Sequence, residues 1–311
     1  MISIILAEKI LSMFLILLTG LVMVRCKVLR PDEGRIISVT TLYLVIPCAI
    51  ISAFQVEYTR ELRNCLFTAM GLAVLVHIFF IALTWLLRRT IHMDEVEAAS
   101  VIYTNAGNLV IPIVASVFGP EWVIYTSAFM TVQTILMWSH GKMLLCGEQG
   151  MDIRRMLFNT NMLATIAGLV MFLFRLRLTG PLEDAVSSIG SMLGPLSMIV
   201  TGILVGNSSW ETIRAYRRLW LTVAIRLVLC PLGTILIIWA GGFAGMVPEG
   251  RTVMLIPFLA AMAPSASSIT QMAQVYHKDA QYASAINVVS TVLCIVTMPL
   301  MVALYQAVIR Q

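Results

Sequence analysis

Charge is absent from this chain over stretch after stretch, each about as long as a lipid bilayer is thick. Between Arg35 and Glu57 lie 21 residues without a charge, between Arg63 and Arg88 lie 24, and between Glu97 and Glu121 lie 23. Further runs cover residues 122–141, 156–174, 185–210, 227–248, 252–277 and 280–309. Crossing a hydrocarbon layer of roughly 30 Å at 1.5 Å per residue takes about 20 apolar residues. Each run is one crossing long. Barrel strands would instead alternate over about ten residues. Residues 2–24, interrupted early by Glu8 and Lys9, supply one more. The expected fold class is therefore an all-α membrane protein of about ten transmembrane helices, numbered here in chain order.

Composition agrees. Hydrophobic residues make up 59% of the 311 and charged ones 12%, against roughly 25% charge in soluble domains. The coat of charge that keeps a soluble protein dispersed is missing, so bilayer residence follows before any motif is read. A net charge of +5 does not indicate nucleic-acid binding, because Arg and Lys sit singly or in small groups at helix ends. Cys26, Cys48, Cys65, Cys146, Cys230 and Cys294 show no C-x-x-C spacing and suggest neither a disulfide framework nor a metal site. The first segment begins with acidic as well as basic residues and has no small-residue cleavage pattern before Arg25, Lys27 and Arg30. It reads as a retained helix rather than a secretory signal.

Thirteen Lys and Arg fall in the connections after helices 1, 3, 5, 7 and 9, against seven on the other side with both termini included. The positive-inside rule then places the odd connections in the cytoplasm and both termini outside a cell membrane. The two halves also resemble each other. Arg25, Lys27, Pro31, Asp32 and Glu33 after helix 1 are answered about 150 residues later by Arg175, Arg177, Pro181, Glu183 and Asp184 after helix 6. Pro47 answers Pro195, and Pro112 answers Pro264. Repeats of five helices, an odd number, insert in opposite senses, which is the inverted-repeat plan of many secondary transporters. The expected organisation is a first repeat over 1–141, a cytoplasmic connection over 142–157 and a second repeat over 158–311.

Helices 4 and 9 read as broken. Helix 4 contains Thr104, Asn105, Gly107, Asn108 and Pro112; helix 9 contains Pro257, then Pro264, Ser265, Ser267, Ser268, Thr270 and Gln271. Proline and glycine weaken a helix, and an unmet backbone group in hydrocarbon costs several kcal/mol, so a break survives only inside protein or beside a wet cavity. Prolines and glycines are common in membrane helices, and asparagines often only hold helices together. A matched pair of breaks, however, points to a transporter site. Amide hydrogens at the half-helix amino ends suit a carboxylate, and carbonyls at the opposite ends offer a place for a cation or water.

The ten-helix plan, the stretch from Asn105 to Pro112 and the Pro264 segment leading to Tyr276 resemble the auxin efflux carrier family, which includes plant PIN-type carriers and bacterial malonate and malate permeases. The resemblance covers essentially the whole chain. It implies a fold related to bile-acid/sodium symporters, with helices 1, 2, 6 and 7 as scaffold and helices 3–5 with 8–10 as transport unit. It implies mono- or dicarboxylate substrates, with Asn105, Asn108 and Pro112 at the helix 4 crossover and Pro264 at that of helix 9. The short connection over 142–157 is more like the bacterial permeases than the long hydrophilic loop of many plant members.

Other polar residues fall within the runs. Arg226 reads either as a bidentate counter-ion for a substrate carboxylate or as an arginine snorkelling to the interface beside Arg217 and Arg218; seven intervening residues favour the interface. His77 is a candidate proton relay, although a histidine bonded to a neighbouring helix is the commoner case. Gln133, Gln271 and Asn287 either line the pathway or bond between helices. No Asp or Glu is expected inside a span. The expected function is thus an alternating-access carrier for a small organic anion, binding at the crossover of helices 4 and 9. Its candidate substrate-binding residues are Asn105, Gly107, Asn108, Pro112, Gln133, Arg226, Pro264, Ser265, Ser267, Ser268 and Gln271. No metal or cofactor is expected, and the coupling ion, proton or sodium, is left open. The expected partners are the anion and the lipid bilayer, with no nucleic acid; the scaffold helices are the candidate surface for a homodimer. An intramembrane enzyme would need clustered catalytic groups, whereas His77, His92, His140 and His277 are isolated. A channel is the other alternative, which the paired breaks disfavour.

Overall fold

The computed structural model describes residues 2–29, 31–147, 158–206 and 210–309, and among these the regular structure is helical apart from one isolated β-bridge. Among the described residues, five helices are long and apolar enough to cross a membrane: Ile36–Ala53, Arg60–Thr90, Pro181–Gly206, Leu219–Ala240 and Ala280–Val308. They correspond to helices 2, 3, 7, 8 and 10. Shorter apolar helices at Leu11–Arg25, Ala106–Val117, Thr160–Leu173 and Gly250–Ala261 fall in helices 1, 4, 6 and 9. Helix 5 runs over 123–146. Helix 7 starts at Pro181, four residues before its uncharged run, because proline with a following Glu183 and Asp184 makes a favourable first turn. The connection expected over 142–157 is helical over Lys142–Cys146; residues 148–157 lie outside the described residues.

Among the described residues four widened turns interrupt these helices; Met137–Gly141 in helix 5 has no proline after it, and a proline explains the other three. Thr41–Val45, Ala106–Val110 and Ile225–Leu229 are π-helical, and Pro47, Pro112 and Pro231 stand two residues beyond them. A proline ring clashes with the carbonyl of the preceding turn and removes one donor. Looser winding just before it relieves the clash without ending the helix. Pro257 produces no break: helix Gly250–Ala261 runs through it. This corrects the expectation of a proline break there, and the interruption of helix 9 begins only at Met262.

Helices 1 and 7 approach closely enough to exclude side chains. A Cβ on Gly202 would lie 2.0 Å from the Leu17 carbonyl oxygen, and one on Gly20 would lie 2.3 Å from that of Ile199. In contrast, helices 4, 5 and 9 make the centre. Every residue from Val253 to Ala266 is buried, the signature of a helix surrounded by protein on all sides. Helices 3, 8 and 10 turn apolar faces outward instead, with Ile78 and Trp85, Leu236 and Trp239, and Val296 and Leu300 exposed. Such faces suit lipid rather than water.

Candidate functional site

Helix 4 is interrupted after its first half, Glu95–Ile102, and resumes at Ala106. The break thus precedes Gly107 and Pro112, which lie within the second half. Helix 9 is interrupted between Gly250–Ala261 and Ser267–Val275. The two gaps meet. Thr104 and Ser265 form an antiparallel bridge, in which Asn105 N donates to the Pro264 carbonyl at 2.8 Å and Ala266 N to the Tyr103 carbonyl at 2.9 Å.

Neighbouring helices meet the peptide groups that this bridge leaves over. Gln133 on helix 5 holds Thr104 on three sides. Its Oε1 accepts from the Thr104 N–H and hydroxyl, and its Nε2 donates to the Thr104 carbonyl, each at 2.9 Å. Helix 10 does the same for Ser265: Asn287 Nδ2 donates to its carbonyl, and Ser290 Oγ accepts from its N–H at 3.1 Å. Buried backbone groups must be paired, and each half of the chain pairs them with one amide side chain from its own last helix.

Arg226 closes the arrangement. It is 0% exposed, which excludes the interfacial position favoured from the sequence. Nε donates to the Ala263 carbonyl at 2.9 Å, Nη1 to that of Val101 at 2.7 Å, and Nη2 to that of Ala261. The guanidinium therefore caps the carboxyl ends of the first halves of both broken helices. The carbonyls expected to offer a cation site are already occupied by a fixed cation. The Phe80 ring lies 5.1 Å from its central carbon.

The amino ends of the second halves are treated differently. Neither Asn105 before Ala106 nor Ala266 before Ser267 provides a side-chain cap, so the first amides of both half-helices lack the partners a cap supplies. Asn105, Gly107, Asn108, Ser267 and Ser268 are partly exposed there. The electrostatics can be followed end by end. Each helix terminus carries about half a charge, negative at the carboxyl end and positive at the amino end. The two carboxyl ends offset the guanidinium, and the two amino ends leave the crossover about one charge positive.

Pro112 and Ser116 border a cavity of about 360 Å³ between the second half of helix 4 and helices 1, 2 and 7, opposite Gly194 and Pro195. Ser52 and Ser187 add hydroxyls, and among the described residues no charged side chain lines it. Pro264 and Ser265 lie in the crossover strand itself, whereas Gln271 is exposed one turn further on. His77 is buried on helix 3; its Nδ1 donates to the Ala73 carbonyl at 2.7 Å, and its ring lies 4.8 Å from that of Phe129.

A residue the sequence reading missed is Glu97. Treated there as the boundary of a run, it stands in the first turn of helix 4 just outside that run and is 1% exposed. Its Oε2 accepts from Asp94 N in a capping box, while its Oε1 accepts from the Tyr282 hydroxyl at 2.7 Å and lies 3.3 Å from Arg218 Nε. The spacing Asp94-x-x-Glu97 was the available signal. Lys278 pairs with Glu95 close by, so this end of helix 4 is fastened to helices 8 and 10.

The pattern of the family described as membrane transport protein matches residues 5–150 and again 148–302. The chain belongs to that family, the auxin efflux carriers. As a member, it is a multi-pass membrane transporter made of two copies of one family unit in tandem. No curated protein matches it. The breaks at Thr104 and Ser265 fall one in each copy of the transporter's family unit.

Proposed function

We propose that this transporter is an alternating-access carrier for a small mono- or dicarboxylate, bound at the amino ends of the second halves of helices 4 and 9. One observation carries the reading: a buried arginine neutralises the carboxyl ends of both broken helices and leaves the amino ends positive and uncapped. The amides near Ala106–Asn108 and Ser267–Ser268 then receive the carboxylate, and the Asn105 and Asn108 side chains orient it. Gln133 and Asn287 hold the site in shape. Arg226 acts through the helix ends rather than by gripping the substrate.

The same reading takes the ten helices as two inverted repeats. Helices 1, 2, 6 and 7 form a scaffold against which helices 3–5 and 8–10 move. With odd connections cytoplasmic, the cavity at Pro112 and Pro195 opens away from the cytoplasm, and the state described faces outward. Close glycine packing between helices 1 and 7 supports a stiff scaffold.

Counterflow of labelled malonate in proteoliposomes tests this. Internal malonate should accelerate uptake, since carriers exchange and channels do not. Asn105→Ala and Asn108→Ala should abolish uptake in protein that still inserts, and Arg226→Gln should weaken affinity. Normal uptake by both asparagine variants discards the site. Absence of trans-stimulation with malonate, malate and other small carboxylates discards the carrier.

A further inference from the structure

His77 is left with an idle nitrogen at the centre of this polar layer. A carbonyl can only accept, so the bond from Nδ1 to Ala73 places the proton on Nδ1 and leaves Nε2 as a bare acceptor. That atom is fully buried and lacks a partner at hydrogen-bonding geometry, while the Gln133 side chain lies within bonding reach of the ring. Its surroundings are the crossover's own parts. The Gln133 amide that holds Thr104 adjoins it, and Phe80 packs against both the His77 ring, at 6.2 Å, and the Arg226 guanidinium, at 5.1 Å.

The charges around His77 are few. Arg226 on helix 8 is the charged group that acts on it, and Cys230 of the same helix faces Arg226. On helix 5, Tyr125 faces Cys65. On helix 9, Arg251 donates to the Gln306 carbonyl. The Glu95 and Glu97 carboxylates of helix 4 are taken up by Lys278, Arg218 and Tyr282. A proton on Nε2 therefore meets a positive neighbour and no negative one among the described residues.

Resting on the carboxylate reading above, we infer that His77 Nε2 is the proton site that couples transport: one proton is bound with the carboxylate and released with it. In the empty carrier two cations would stand side by side away from water, and Nε2 stays bare. A carboxylate at the amino ends supplies the missing negative charge and makes the imidazolium tolerable. The coupling is reciprocal, because a proton on His77 strengthens anion binding by the factor by which the anion strengthens proton binding. No bond other than Nε2–H forms or breaks, and the added proton comes from the solution on the loading side.

The test is calorimetric titration of the purified transporter with malonate, fully ionised at pH 7.5, in buffers of low and high ionisation heat. Wild type should take up about one proton per malonate bound, with affinity falling about tenfold per pH unit on the alkaline side. His77→Gln should bind malonate with buffer-independent heat and a flat pH profile; His77→Asn serves if the first variant does not fold. Malonate binding by wild type without proton uptake overturns this inference and leaves the carboxylate site standing. Uptake of a proton that persists in the folded His77 variants also overturns it. Failure of malonate and related acids to bind at all overturns the site and the inference together.

Discussion

Replacing Gln133 by Leu isolates what internal bonding contributes to the crossover. The exchange nearly conserves volume and removes three hydrogen bonds to Thr104. The Thr104 hydroxyl can rotate toward another acceptor, but its buried N–H and C=O are both bonded to Gln133 and to no other described residue. Two unmet backbone groups at about 1–3 kcal/mol each give about 2–6 kcal/mol. Leucine recovers part of this by burying apolar surface without a polar amide, which leaves about 2–4 kcal/mol. At roughly 2 °C per kcal/mol for a chain of this length, the melting temperature falls by roughly 4–8 °C. Intrinsic tryptophan fluorescence in detergent measures it, and malonate counterflow should be lost in parallel because Thr104 adjoins the uncapped amides. Asn287→Leu provides the internal scale. It removes one bond, to the Ser265 carbonyl, while Ser290 keeps the N–H, so its loss should be about half as large. A Gln133→Leu protein that melts and transports like wild type would refute the assignment of these bonds to the crossover.

Two further outcomes are expected. Gly202→Val should abolish recovery of monodisperse protein, because a Cβ there would lie 2.0 Å from a helix 1 carbonyl; Gly71→Ala, with nothing within 4 Å, should raise stability by about 0.5–1 kcal/mol, both read by size exclusion and melting. The Lys278 ammonium holds the Glu95 carboxyl, at the mouth of helix 4, below the ordinary glutamate value. A depressed acid contributes stability above its unfolded value, about 4.3, and loses it as pH falls through the lower folded value. Melting curves between pH 6 and pH 3 should therefore converge for wild type and Glu95→Gln, with a gap at pH 6 under about 1 kcal/mol because the pair is partly exposed.

The spans were legible because lack of charge over 20 residues has one physical reading, and the paired breaks because Asn105, Pro112, Pro264 and the nearby serines sit in matching places. What the sequence did not show is how each break is satisfied. Pro112 and Pro257 look alike as helix breakers, yet one follows a widened turn and the other lies in an intact helix; the difference is set by packing around them. Arg226 lies few residues from Arg218, so linear distance suggested the interface, while helix 8 in fact turns it into the centre. Gln133 and Asn287 are separated from their partners by 29 and 22 residues, and no local pattern announces such a bond. Glu97 does mark the start of helix 4, as its charge suggested, but no local pattern announces that Tyr282 and Arg218 bury it there.

A guanidinium bonded to both halves of the crossover goes wherever the crossover goes. In the carrier proposed above, the moving body is a cation when empty, remains one with a monocarboxylate and its proton, and is neutral with a dicarboxylate and its proton. One charge falling through the membrane potential is worth about 2.3 kcal/mol per 100 mV. On that proposal voltage acts on the return of the vacant carrier and leaves the dicarboxylate-loaded stroke alone, so that a negative interior draws the vacant site toward the cytoplasm.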